Sequence, residues 1–218
     1  MRPNYNVQAQ VVKIDTDIPQ NDEKFFVDTN IWLWTLYEPL SWKPLMKTES
    51  KKTGVSGYQI KKYPRFFYGA SSRQANFFYC GTLMPEIAHS IERWEKELFS
   101  NSRQPPEIIE LKDFRHNYPE QRIQVVEKIQ EIWNLITEIA FCIDFTIDEA
   151  FTHAALTQSE TIQVDGYDLF IVKAMKKGNI DKIITDDGDF LTVPGITVFT
   201  ANDWAIKVAE QQGKLLYR

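Results

Sequence analysis

Two short apolar runs of this chain end in carboxylates. Asp28 follows the run 25–27 directly, and three acids within four positions follow the β-branched run that ends at Thr185. These three acids are Asp186, Asp187 and Asp189. If both runs are strands of one parallel sheet, their carboxyl ends bring the acids to one edge, where open α/β sheets bind ligands. Like charges about 5 Å apart repel by about 3 kcal/mol at an effective dielectric of 20, and a divalent cation would offset that repulsion.

The rest of the chain predicts the strands and helices that would position these acids. Short apolar runs predict strands at 24–28, 141–145, 182–185 and 196–200, whereas 77–80 fits a strand or the tail of a helix. Apolar residues spaced three or four apart predict helices at 30–37, 82–99, 119–139, 148–157 and 168–177, and one that starts near 202. This alternation predicts an α/β fold in three layers, with a central, mostly parallel sheet covered by helices on both faces.

The predicted domain organisation is one α/β domain with additions. Residues 1–23 are polar and indicate an N-terminal extension rather than core, so the domain is expected to span 24–218. Residues 39–76 contain several Pro and Gly residues, which predicts a long loop or insertion. Extra helical material is expected at about 100–140.

Composition leaves carboxylates as the only side chains that cluster. Hydrophobic residues make up 43% and charged residues 25%, as in ordinary globular proteins. The start of the chain does not resemble a signal peptide, and no stretch of about 18 apolar residues predicts a membrane span. Cys80 and Cys142 lack metal-binding spacing, which favours a reducing, cytoplasmic location. The three histidines are scattered, and no P-loop or Ser/His/Asp grouping is present.

Basic residues are concentrated in one part of an otherwise acidic chain. The net charge is −5, but residues 40–76 carry eight Lys or Arg and one acid, which leaves −12 for the remainder. Such a segment favours phosphate attraction and base stacking, so we expect it to guide RNA, with Tyr63, Phe66 or Phe67 stacking on bases. The equally weighted alternative is a solvated loop whose aromatic residues pack on the core. The candidate nucleic-acid-binding residues are Lys51, Lys52, Lys61, Lys62 and Arg65.

Three segments, taken in order, resemble the PIN domain family of metal-dependent nucleases, which includes the toxin ribonucleases of toxin–antitoxin pairs. Val27–Asn30 reads Val-Asp-Thr-Asn, like the family's first strand end. Asp168–Ala174 is similar to its Asp-x-x-Ile-x-x-Ala helix, and Thr185–Phe190 to its Thr-x-Asp-x-Asp-Phe element. Glu86 would supply a fourth acid. The resemblance covers about 24–200, with longer intervals than in compact toxin members.

This resemblance implies a PIN-like fold and a set of metal ligands. The implied catalytic acids, which would also hold Mg²⁺ or Mn²⁺, are Asp28, Glu86, Asp168 and Asp187. Asp189 would assist as a further metal ligand, and Asn30 and Thr185 would orient the site. The implied reaction is hydrolysis of a phosphodiester by metal-activated water. The resemblance favours RNA as the substrate. The implied partners are RNA, an antitoxin or other protein, and a second copy of the chain; a membrane is not expected.

Each acid also has a structural interpretation. Asp28 and Asp168 both precede or begin helices and could serve as N-caps, although Thr29 or Asn30 could cap in place of Asp28. Glu86 could be an ordinary exposed helix glutamate. Asp165 competes with Asp168 but fits a turn better, and Asp187 and Asp189 also suit turn chemistry. Asp186 is expected to face solvent, and His89 to be a surface histidine.

Two alternative functions share this scaffold. One is a non-catalytic protein that binds RNA or a protein partner. The other is a toxin-like nuclease that an antitoxin holds inactive, which differs from the first interpretation in its partner rather than in its chemistry.

Overall fold

The computed structural model describes residues 3–37 and 55–218 and contains one seven-stranded sheet whose strand pairs are all parallel. The strands are β1 (Gln10–Lys13), β2 (Lys24–Val27), β3 (Asn76–Tyr79), β4 (Phe141–Cys142), β5 (Lys182–Ile184), β6 (Thr197–Thr200) and β7 (Leu215–Leu216). Their order in the sheet is β4-β3-β2-β5-β6-β1-β7.

The described residues form eight α-helices and a short 3-10 helix. The helices are α1 (Thr29–Leu36), α2 (Gln59–Ser71), α3 (Leu83–Ser102), α4 (Leu111–Asn117), α5 (Pro119–Ile139), α6 (Glu149–Ser159), α7 (Gly166–Gly178) and α8 (Asp203–Gln211). The 3-10 helix is Asp189–Thr192. None of these helices is both long and apolar enough to cross a membrane.

The central strands are buried on both faces, which confirms the predicted three-layer α/β architecture. Successive strand residues point to opposite faces, yet Phe25, Phe26 and Val27 are all 0% exposed. The Phe25 ring contacts Phe199 of β6 edge to face, with centroids 4.9 Å apart. Helices must therefore cover both faces of the sheet, as expected of parallel sheets.

The pairing of β2 with β5 aligns the two acid-bearing strand ends. Val27 lies opposite Ile184 in the register, so Asp28 and Thr185 both leave the sheet at the same level. The backbone N–H of Asp28 donates to the carbonyl of Ile184, at 3.2 Å. The predicted common edge is therefore present.

The prediction that residues 1–23 lie outside the core is wrong. They contain β1, which pairs with both β6 and β7, and Val11 is 0% exposed. The apolar part of β1 is only Val11-Val12, and a pair of residues carries too little periodicity to predict a strand. Its position depends on partners near the other end of the chain.

The predicted insertion at 39–76 is partly a core element. Residues 59–71 form α2, and Tyr63, Phe66 and Phe67 are at most 5% exposed. These rings are buried and cannot stack on RNA bases, so that prediction is wrong. The alternative is confirmed in that the aromatic residues pack on the core, but they lie on a helix and not on a solvated loop. Residues 38–54 lie outside the described part, including Lys51 and Lys52.

Two other segments differ from expectation only in detail. The ambiguous segment around 77–80 is strand β3. The strand predicted at 141–145 is limited to the two residues of β4. Helix α5 and the end of α3 occupy the region predicted to hold extra helical material, with α4 between them.

Candidate active site

Asp28 is a buried carboxylate at the end of β2. It is 4% exposed, and its Oδ2 accepts a hydrogen bond of 2.7 Å from the Thr185 hydroxyl. Its side chain makes no capping hydrogen bond to α1, although the residue occupies the N-cap position. Burial, followed by the charges of Glu86 and Asp187, raises the pKa of Asp28 well above its usual range, against the lowering effect of the Thr185 hydrogen bond. The Thr185 hydroxyl thus orients the side chain of Asp28 but supplies no positive charge to it.

Glu86 lies in the first turn of α3 and faces α1. Its Oε2 accepts a 2.6 Å hydrogen bond from the hydroxyl of Thr29, the residue after Asp28. The side chain is half-buried rather than exposed, unlike an ordinary helix glutamate. Burial raises the pKa of Glu86, and the charges of Asp165 and Asp187 raise it further, against the lowering effect of Thr29.

Asp168 is buried at the start of α7, and another acid performs the capping. The Asp165 carboxylate accepts hydrogen bonds from the backbone N–H groups of Tyr167 and Asp168. Asp168 is therefore released from the capping role and is 8% exposed. Burial raises its pKa well above the usual range, and the charges of Asp28 and other nearby acids act in the same direction.

Asp165 is an acid of the site that sequence reasoning placed in a turn. Its charge raises the pKa values of Glu86, Asp168, Asp187 and Asp189. Its side chain is exposed, so it lies at the rim of the cluster. The spacing of Asp165 and Asp168, three residues apart at a helix start, is the sequence signal that identifies the first as the cap.

In the loop after β5, hydrogen bonds connect Asp187 to Thr185 and to Asp189. The backbone N–H of Asp187 donates to the Thr185 hydroxyl, and Asp187 Oδ1 accepts from the N–H of Asp189. Because the Thr185 hydroxyl also donates to Asp28, one side chain links both acid-bearing strand ends. Burial, then the charges of Asp187 and Asp165, raises the pKa of Asp189.

Asp186 does not face solvent, so that prediction is wrong. Its carboxylate accepts hydrogen bonds from Tyr58 Oη, Gln59 Nε2 and Tyr63 Oη, at 2.5–2.9 Å. It therefore joins this loop to α2, while Asp187 is the exposed acid. The sequence could not distinguish the two, because the partners of Asp186 lie more than 120 residues earlier in the chain.

Gly188 allows the N-terminal segment to approach the acids. A Cβ atom at this position would lie 2.5 Å from the Cζ and Oη atoms of Tyr5. The phenol end of Tyr5 therefore lies directly over Gly188, and burial, followed by the charges of Asp189 and Asp187, raises the pKa of Tyr5. Residues predicted to form an extension thus form one wall of the site.

In the described part of the chain, no neighbouring cation is among the causes that shift the pKa values of the four predicted acids. Asp28, Glu86, Asp168 and Asp187 are shifted by burial and by other acids, while the lowering contributions come from hydroxyl and backbone hydrogen bonds. Hard carboxylate oxygens are the ligands that Mg²⁺ and Mn²⁺ prefer, so the donor set fits these ions. In residues 3–37 and 55–218 no three Asp, Glu, His or Cys side chains form a ready-made metal site. The metal assignment stays a prediction.

The described members of the predicted basic surface lie on α2. Lys61, Lys62 and Arg65 line a groove of about 350 Å³ between α2 and the segment after β1. Lys62 pairs with Asp15 across this groove, at 2.7 Å. The first residue of the same helix, Gln59, contacts Asp186, so the groove begins close to the acid edge. RNA binding by these residues stays a prediction.

The remaining predicted residues are found at the margins of the site. Asn30 is half-buried in the first turn of α1 and lines a cavity together with Asp187. His89 is exposed on α3, as expected of a surface histidine.

Comparisons with known proteins add little to this geometry. No protein-family model matches the chain. No curated protein matches it either. Among solved structures, the chain is similar to the crystal structure of VapBC2 from Rickettsia felis bound to a DNA fragment from their promoter, with 13% identity and a TM-score of 0.41 over 81% of this chain and 98% of that one. A likeness of this strength supports no inference about family or activity.

Proposed function

We propose that this protein is a metal-dependent nuclease that hydrolyses phosphodiester bonds, and specifically an endoribonuclease acting on single-stranded or structured RNA. The proposal is supported by the hydrogen bonds that link Asp28 to Thr185, Asp187 to Thr185, and Thr29 to Glu86, together with the raised pKa values of Asp28, Glu86, Asp168 and Asp187. Burying carboxylates such as those of Asp28 and Asp168 near other acids destabilises a fold unless a ligand offsets their charge. A polyvalent cation is the simplest ligand that would stabilise such a site.

The same four acids, with Asp189, would hold Mg²⁺ or Mn²⁺. When bound, the ion would lower the pKa of a coordinated water and stabilise charge on the phosphoryl oxygens. The chain itself supplies orientation. Thr185 fixes the Asp28 carboxylate, and Thr29 fixes Glu86.

At the start of α7, one acid caps the helix and another is left available to a ligand. Asp165 satisfies the first N–H groups of this helix, which leaves the Asp168 carboxylate available to a ligand. The positive end of the helix dipole also favours a negative side chain here by about 0.3–1 kcal/mol. The helix start therefore helps to keep Asp168 ionised when a cation is present.

The test is cleavage of pooled RNA and of single-stranded DNA with Mg²⁺, Mn²⁺ or EDTA. We expect cleavage of RNA that depends on the metal and is lost in Asp28→Asn. Asp113→Asn is a matched control because Asp113 is an exposed acid on α4. Cleavage that survives EDTA, or equal activity in wild type and Asp28→Asn, would contradict the proposal. Metal-independent RNA binding without cleavage would favour a non-catalytic RNA-binding protein.

A further inference from the structure

A cavity of about 360 Å³ opens beside the acids and has no role in the chemistry described above. Its volume falls within the range of about 300–1,000 Å³ typical of small-ligand sites. Its walls come from α1, α3, the loop after β5 and the N-terminal segment; they include Tyr5, Asn30, Trp34, Arg93 and Asp187. Asp187 belongs to both the cavity and the acid cluster, so the two are continuous.

Arg93 places a positive charge in this wall. It lies seven residues after Glu86 on α3, which is two helical turns, so both side chains are on nearly the same face and about 10 Å apart along the axis. Arg93 is exposed and makes no ion pair with any other described residue. By contrast, Arg115 and Arg122 both pair with Glu92. An available guanidinium two turns from a catalytic acid can bind an anionic group close to the proposed reaction centre.

The α1 wall adds the half-buried amide of Asn30 as an available hydrogen-bonding group. Asn30 and Trp34 are one turn apart and therefore on the same face of α1. Within the described residues, neither the Asn30 amide nor Trp34 Nε1 has a hydrogen-bond partner, and Trp34 is 6% exposed. The Trp34 ring is held against Tyr63, with centroids 5.3 Å apart, so its position is fixed by packing.

Other polar groups of the wall are already engaged, which narrows the set that could contact a ligand. Gln59 donates to Asp186 and accepts from the N–H of Ser56. Asn202 donates to the carbonyl of Asp186 and caps α8. The accessible groups include those of Asn30 and Arg93, together with the hydroxyl of Tyr5, which has no hydrogen bond to another described residue.

We propose that this cavity is the subsite for a nucleotide next to the scissile phosphodiester, with Arg93 binding a backbone phosphate and Asn30 and Tyr5 contacting its ribose or base. The inference rests on the proposed function and specifies how that site holds its substrate. A sheet edge lined with acids repels the negatively charged RNA backbone. The positive charge of Arg93, beside this edge, offsets that repulsion for the phosphate next to the reacting one. The aromatic side chain of Tyr5 suits the sugar or base of the same nucleotide.

The primary test is steady-state cleavage of a short single-stranded RNA by Arg93→Gln. Arg103→Gln is the control for loss of one positive charge away from the cavity, because Arg103 follows α3 directly, pairs with Glu107 and lies about 15 Å further along the helix axis. We expect Arg93→Gln to raise KM roughly five- to tenfold, as for loss of one partly exposed charge-assisted hydrogen bond, with little change in kcat. The dependence of log KM on log salt concentration should flatten by about 0.7 for one lost phosphate contact. Arg93→Lys should restore most of the salt dependence.

A binding measurement separates failure of the subsite from failure of the proposed chemistry. Fluorescence anisotropy would follow a fluorescein-labelled RNA octanucleotide with Asp28→Asn, alone and combined with Arg93→Gln or Arg103→Gln. Weaker binding only in the Arg93 combination supports the subsite, even if the wild type proves not to cleave. Active wild type with equal KM values for the two Arg variants would overturn the subsite and leave the nuclease proposal intact. Wild type that neither binds nor cleaves RNA would overturn both.

Discussion

Metal binding should stabilise this protein, and Asp28 should be required for the effect. The perturbation is the addition of Mn²⁺ to wild type and to Asp28→Asn. At ten times the dissociation constant, a ligand that binds only the folded state adds about 1.4 kcal/mol to the free energy of unfolding. For 218 residues this corresponds to a rise in Tm of roughly 3–5 °C.

The substitution is chosen to remove charge with little change in shape. Asn is nearly isosteric with Asp, and its carbonyl oxygen can still accept the hydrogen bond from Thr185. Without metal, we expect Asp28→Asn to be more stable than wild type by about 1–2 kcal/mol, because Asn removes a carboxylate that is buried and that lies near the charges of Glu86 and Asp187. The mutant should therefore begin with a higher Tm and gain little when Mn²⁺ is added.

Differential scanning fluorimetry across a Mn²⁺ series, with Mg²⁺ as a second ion and Asp113→Asn as control, measures both quantities. Equal Mn²⁺-induced shifts in wild type and Asp28→Asn would refute the shared metal site. A lower Tm of metal-free Asp28→Asn would refute the reasoning about repulsion, because it would make Asp28 a net stabilising group.

Three further predictions test how the site and its support are held. Asp165→Ala should lower stability by about 1 kcal/mol through loss of the α7 cap, measured by urea unfolding, and no change would argue against that cap. Tyr63→Phe should cost about 1–3 kcal/mol, because the N–H of Ala201 and the Asp186 carboxylate each lose a hydrogen bond; an unchanged midpoint would contradict this. Although burial raises the pKa of Glu23, hydrogen bonds from Arg218 and Lys182 lower it to about 2. The resulting stability, about 1–2 kcal/mol after allowing for solvent screening, should be present above pH 4.5 and lost as the pH falls toward 2, and Glu23→Gln should remove this pH dependence.

The sequence alone was sufficient for the features that local pattern determines. The runs before Asp28 and Thr185 are continuous and apolar because strands of a parallel sheet are buried on both faces, so the sequence itself indicates an α/β fold. The acids at their ends could be predicted to share an edge, because parallel strands all present their carboxyl ends on the same side. Most helices were found because their apolar residues recur with the helical period.

Only the tertiary structure decided which groups meet across long distances in the chain. Strand β1 is too short to be recognised and exists because β6 and β7 pair with it. Asp186 turns toward α2, whereas its neighbour Asp187 stays at the site, and the choice depends on two tyrosines and a glutamine supplied by that helix. Arg93 gave no signal in the sequence, since an exposed arginine on a helix is ordinary until the fold places it beside Asp187. Periodicity along the chain reports which residues are buried, but side-chain partners are chosen by packing between segments that the sequence leaves far apart.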